Sequence, residues 1–260
     1  MKKILIVALA IMTMVSCKKD PKDPEPTPAP TTPAPTTGSI TFEFDAKVDT
    51  MDLVFNTKYY KNANNDSFNV SIFKYYVSNI VLTKTDNSTY TVSNGYFLVD
   101  HATTNKNKFT VSNIPFANYK SVQFMIGVDS LRNVSGAQEG DLAQSLNMFW
   151  TWNSGYIFAK MEGTSPQSPD VGNALTFHIG GFKDPNNSIR TTNVSFGSMT
   201  ANVSASTNPT IHFKSDLKKW FSGANTISFA TLYKATMPGA NAMMIADNYV
   251  NMFSLEHIHN

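Results

Sequence analysis

The chain has 260 residues, with 21 Lys and Arg against 19 Asp and Glu, so its formal charge is +2. Two of those lysines, Lys2 and Lys3, fall in a predicted leader; without them the charge is near zero, and nothing points to nucleic acid. One cysteine excludes an intrachain disulfide. Aromatic residues at 12% and few charges describe an extracytoplasmic β protein rather than a helical bundle.

Residues 1–16 read as a secretory signal. Lys2 and Lys3 precede an apolar run from Ile4 to Val15, which is too short to span a bilayer. The run ends in Met14-Val15-Ser16-Cys17, which resembles a bacterial lipobox. Cys17 is therefore predicted to carry lipid and to anchor the protein at the outer membrane, on its periplasmic or cell-surface face. Residues 17–38 are rich in Pro and Thr. Proline blocks helix and sheet there, so the segment is predicted to be an extended tether.

The folded domain is predicted over residues 39–260. Ile40, Phe42 and Phe44 alternate with polar residues, as do Phe68, Val70 and Ile72, which are strand patterns with one buried face. Phe73 to Leu82 is apolar on both faces and fits an inner strand. Strands and turn signals recur through 90–128, which predicts an all-β fold, a β-sandwich of antiparallel strands with long loops and one or two short helices. Residues 129–146 have no clean period and read as a long loop. The next stretch, Met148-Phe149-Trp150-Thr151-Trp152-Asn153-Ser154-Gly155-Tyr156, reads as a strand with Trp150 and Trp152 on one face, continuing to about Glu162. Short helices are predicted over 215–221 and 240–253.

Signatures of catalysis are missing. There is no nucleophile elbow, phosphate loop or cysteine-pair zinc motif, so the protein is not expected to be an enzyme. Histidine is scarce, at five, yet two of them form His257-Ile258-His259. On a strand these two share a face and can chelate one ion, and imidazole suits copper or zinc. Glu256 would point away on a regular strand. His178 precedes Gly180-Gly181, which let backbone approach closely, and it is the third candidate ligand. His101 and His212 are expected at the surface.

Several blocks occur in order: Lys74-Tyr75-Tyr76-Val77-Ser78-Asn79-Ile80, Leu98-Val99-Asp100, Gly127-Val128-Asp129-Ser130, the double-Trp block, and Phe177-His178-Ile179-Gly180-Gly181. Together they resemble the MbnP-like copper-binding protein family, in its Bacteroidetes lipoprotein branch. The resemblance implies a sandwich-type fold and copper binding. It also implies a di-haem oxidase partner that converts a tryptophan to kynurenine, which holds copper together with histidines; Trp150 or Trp152 is similar to the family's tryptophan block, and His178 matches its Phe-His position. The chain departs from the proteobacterial members by lacking a histidine after Asn133. The function expected is copper scavenging, storage or delivery. The alternatives are a glycan- or protein-binding platform built on Trp150, Trp152 and Tyr156, or a member that keeps the fold without the metal.

Overall fold

The computed structural model describes residues 36–151 and 153–260. The predicted signal, Cys17, the tether up to residue 35 and Trp152 lie outside the described residues. In chain order the strands are β1 (Thr37–Val48), β2 (Met51–Asp52), β3 (Tyr60–Lys61), β4 (Ser67–Lys84), β5 (Thr89–Thr91), β6 (Tyr96–Asp100), β7 (Lys108–Pro115), β8 (Ala117–Ile126), β9 (Phe149–Thr151), β10 (Gly155–Tyr156), β11 (Ala159–Thr164), β12 (Ala174–Ile179), β13 (Arg190–Ser195), β14 (Ala201–Val203), β15 (Thr210–Asp216), β16 (Lys234–Ala235) and β17 (Phe253–His259). The helices are α1 (Ser130–Asn133) and α2 (Ala240–Tyr249), with a 3-10 turn at Leu217–Phe221. Among the described residues no helix is long and apolar enough to cross a membrane.

Two sheets carry the fold. The smaller runs β17-β15-β1-β2, with β7 paired to β1. The larger is built on β13-β8-β4-β11-β12-β16. Alternation puts Ile40, Phe42 and Phe44 of β1 and Ile211 and Phe213 of β15 on the inner face of the smaller sheet, all of them buried. Phe44 meets Tyr75 and Phe124 of the larger sheet edge-on, with centroids 6.0 Å away in each case. Full burial of each such ring is worth roughly 2–3 kcal/mol. Trp220 from the 3-10 turn and Tyr249 from α2 pack at 5.3 Å and add to the same core.

The predicted all-β sandwich is present, and four details differ. The pairing is mixed: β1–β15 and β12–β16 are parallel. The first strand starts at Thr37, before the expected Ser39. The second helix ends at Tyr249, because Phe253 leaves the helical spacing to begin β17. The Trp stretch is a short hairpin of β9 and β10 rather than one strand to Glu162. Asparagine abundance also finds its reason, since among the described residues nine of the ten non-glycine residues with positive φ are Asn. Asn tolerates the left-handed region better than other side chains, so most of these residues turn the chain between elements, while Asn79 and Asn113 sit within β4 and β7.

β4 is apolar on both faces because both are covered. Phe73, Tyr75 and Val77 enter the main core, while Tyr76 faces outward into a second cluster with Leu98, Val128, Leu142, Met148, Tyr156, Ile157, Phe158 and Phe182. The segment from α1 through β10 thus lies across the outside of the larger sheet. At the β4–β11 bulge, the backbones approach so closely that a Cβ on Gly163 would lie 2.0 Å from the Asn69 carbonyl oxygen. Backbone cannot yield there as a flexible side chain could. Gly163→Ala should destabilise the fold by about 2 kcal/mol, read as a fall of roughly 4–8 °C in Tm by calorimetry.

His101 is not the surface residue expected. It is half-buried, stacks on Phe73 at 4.9 Å, and places Nε2 3.1 Å from the Tyr75 hydroxyl, which itself bonds Ser215 Oγ at 2.7 Å. The reason is local: the His101 N–H donates to the Phe73 carbonyl at 3.0 Å and folds the turn after β6 back over the sheet. Desolvation pushes the imidazole down to about 3, against a weaker upward pull from Asp100. The unfolded chain takes up a proton below its ordinary value of 6.5 while the folded chain does not. Stability present above that pH is therefore lost on acidification toward 3. A His101→Gln variant should show a flatter dependence of Tm on pH across this window than the wild type.

Candidate metal centre

The outer face of the smaller sheet gathers three histidines. On β15, Ile211, Phe213 and Ser215 point inward, so His212 points outward. On β17, Phe253 and Leu255 pack on the core, and so does Ile258. That sequence breaks a period of two, and the ladder shows how: Leu255 pairs with Phe213 and His257 with His212, leaving Glu256 as the extra residue of a bulge. The bulge changes the phase of the strand. It lets His257 and His259 face outward beside His212 while Leu255 and Ile258 stay on the core side. Glu256 therefore lies on the histidine side, where a regular strand would have turned it away.

The ligating nitrogens of His212, His257 and His259 all lie within 4.8 Å of one another. His257 Nε2 and His259 Nε2 are 3.1 Å apart, one ring N–H donating to the other's lone pair. At metal–nitrogen bonds of about 2.0 Å, that separation subtends roughly 100° at an ion, between the square-planar and tetrahedral values. His212 stacks on His257, with centroids 4.2 Å apart and planes at 16°, and stands edge-on to His259 at 5.2 Å. Stacked rings cannot aim nitrogens at one point, so joint ligation requires one ring to rotate about χ2. The half-buried and exposed positions of these side chains leave room for that rotation. The donor set fits copper or zinc.

Carboxylates frame the cluster. Asp45 Oδ2 lies 3.6 Å from His212 Nδ1. This is a diagonal contact across β1 and β15, since the residue directly opposite His212 is Glu43. Glu43 is engaged by Lys108 at 3.5 Å. Burial, followed by the charge of Glu256, pushes the Asp45 carboxyl up, and His212 opposes this. Lys47 bonds Asp52 at 2.6 Å and stands 3.9 Å from Glu256. The bond to Asp52 raises its ammonium, with burial opposing.

Of the predicted ligands, the structure brings His257 and His259 together and adds His212, but not His178. Lys74, Lys160 and His178 are successive cross-strand partners on β4, β11 and β12, on the outward face of the larger sheet with Tyr76 and Phe158. The two sheets meet through their inner faces, so His178 and the cluster lie on opposite outer sides and cannot share an ion. His178 Nε2 is 2.8 Å from Glu162 Oε1. Burial pushes its imidazole down, against Glu162. Nearly buried Lys160 stands 3.5 Å from the same carboxylate and donates to the Asn147 carbonyl at 3.1 Å, tying this group to the start of the Trp hairpin.

Trp150 is half-buried. Its indole lies over Gly180, where a Cβ would come 2.5 Å from the Tyr156 carbonyl oxygen and 2.8 Å from Trp150 Cζ3, which explains a glycine at that place. Tyr156 is buried, meets Phe149 and Tyr76 edge-on and donates its hydroxyl to the Leu142 carbonyl at 2.9 Å. It therefore takes no part in an exposed platform. Trp152, the other indole of that stretch, is outside the described residues. Buried Asn133 accepts from the Tyr156 N–H at 2.8 Å and donates to the Val128 and Asp129 carbonyls, so it pins the hairpin to α1.

Among curated proteins, none matches the chain by sequence. A solved structure described as MbnP from Methylosinus trichosporium is similar in fold, with a TM-score of 0.53 at 14% identity, covering 84% of this chain and 98% of that one. The MbnP family model matches residues 37–244, which includes His212 and stops before His257 and His259. A match over most of the sequence means that the chain belongs to the MbnP family.

Proposed function

We propose that the protein is a lipid-anchored, extracytoplasmic copper-binding protein, serving in scavenging, storage or delivery, and that His212, His257 and His259 hold the ion. The observation that carries the reading is the convergence of three imidazoles from two strands, with nitrogens within 4.8 Å. Three of the five histidines meeting on one solvent-facing patch is not what packing demands, since nothing in the core requires them. Family membership supports copper as the metal, and an imidazole set holds copper(II) more tightly than zinc. His178 and Trp150 lie on the other outer face, so this reading does not use them as ligands of the same ion. The reading of the Trp stretch as a glycan platform is weakened by the burial of Tyr156.

Titration of the purified protein with copper, followed by metal analysis, should give one ion per chain. His212→Ala and His257→Ala should each weaken binding by a hundredfold or more, whereas His178→Ala and Trp150→Phe should leave the stoichiometry intact. Both cluster side chains face outward, so these variants should fold normally by circular dichroism. Copper bound at wild-type affinity by either cluster variant would refute the assignment. Anchoring is tested separately: Cys17→Ala should move the protein from the membrane to the soluble fraction and abolish incorporation of labelled fatty acid.

A further inference from the structure

The charges around the three imidazoles are not balanced. Among the described residues no Lys or Arg nitrogen comes within 4.0 Å of Asp45, and its one ion-pair partner is His212. Glu256, placed on this face by the bulge, has only a long 3.9 Å contact to Lys47, whose short bond goes to Asp52. Two weakly compensated carboxylates thus stand beside three side chains that carry no charge when they act as ligands. Among the described residues the clustered donors are nitrogen throughout.

Position matters as well as charge. Asp45 is on the Nδ1 side of His212, so that ring's remaining donor is Nε2. A carboxylate that accepts a hydrogen bond from one imidazole nitrogen fixes the tautomer and orientation of the other and makes it a stronger ligand; Asp45 stands at ion-pair distance, 3.6 Å, and a small rotation of the His212 ring brings it to that bond. His212 is also the ring that stands stacked on His257 and needs a defined rotation before it can join the other two. Of the two carboxylates, Asp45 is the one within reach to hold it there. His257 and His259 have each other at 3.1 Å, and neither has a carboxylate partner among the described residues.

We infer that this centre takes a divalent ion, copper(II) ahead of zinc(II), in preference to copper(I), and that Asp45 is the positioning residue that orients His212 and sets that preference. The inference rests on the reading of the three histidines as a metal site and extends it to the charge state of the ion. A dication offsets the uncompensated carboxylates, and it is the harder ion, for which nitrogen and water are better matched than sulfur. The half-exposed setting leaves further coordination positions open to water, as copper(II) and zinc(II) require.

The test uses the full purified chain and two variants, Asp45→Asn and His257→Ala, with copper(II), zinc(II) and copper(I) supplied through competing chelators. Wild-type protein should bind copper(II) with an electron paramagnetic resonance pattern of imidazole nitrogens, and zinc(II) more weakly. The bound copper(II)/copper(I) couple should have a potential below that of the aqueous ions. Asp45→Asn should weaken copper(II) by about tenfold or more and raise the potential, with unchanged Tm, because losing one negative charge favours the reduced ion. A potential above the aqueous couple, or an Asp45→Asn variant equal to wild type in both affinity and potential, overturns the inference. Metal binding at wild-type affinity in His257→Ala, or no binding of any of the three ions, instead overturns the site assignment itself. The two failures are thus distinguishable.

Discussion

The seating of β15 between β1 and β17 is the interaction on which the candidate centre depends. β15 runs parallel to one neighbour and antiparallel to the other, so its backbone donors and acceptors are satisfied on both edges. Its inward side chains, Ile211 and Phe213, fix the register, because a slip by one residue would expose both and bury His212. Parallel pairing cannot be made by a tight turn. It requires the chain to leave β1, build nearly all of the larger sheet and return. The core therefore has to be assembled before the outer face of this sheet can present a cluster drawn from distant parts of the sequence.

Much of the fold is legible in the residues. The alternation at Ile40, Phe42 and Phe44 gives a strand with one buried face, and the doubly apolar run at Phe73 to Leu82 gives a strand covered on both sides. The centre is less legible. His257 and His259 announce themselves by spacing, but His212 stands alone between two apolar residues, where an outward histidine is indistinguishable from an ordinary surface one. Only the ladder brings it to His257. Glu256 escapes a period-two reading for a related reason: a bulge is a property of pairing, and a single strand's sequence does not reveal which residue is unpaired. His178 misleads in the opposite sense. Its neighbourhood of glycines suggests a site, whereas Gly180 makes room for the Tyr156 carbonyl and the Trp150 ring.

The molecule divides its unusual residues between two outer surfaces. On the larger sheet, the α1 segment and the Trp hairpin form a second apolar layer, with Asn133 joining α1 to the hairpin and Lys160 tying the hairpin's start to the sheet, while His178 pairs with Glu162 within the sheet. Those residues resemble site residues because they are buried and polar, yet each has a partner that accounts for it. On the smaller sheet the three histidines lie on the outer face, outside the hydrophobic core, and stack on one another. His178 and His212 are about equally exposed, so burial does not tell them apart; what separates the candidate functional histidines is convergence, since only His212, His257 and His259 bring their nitrogens together.

The bulge at Glu256 has a consequence for how such a surface can change over generations. Because that residue is an insertion relative to its partner strand, losing it would straighten the edge while leaving Leu255 and Ile258 inward and both histidines outward. The imidazole geometry and the charge that surrounds it are thus encoded separately. A one-codon deletion adjusts the second without disturbing the first, so relatives could retune the same three-nitrogen patch for a different ionic charge while the sheet beneath it stays fixed.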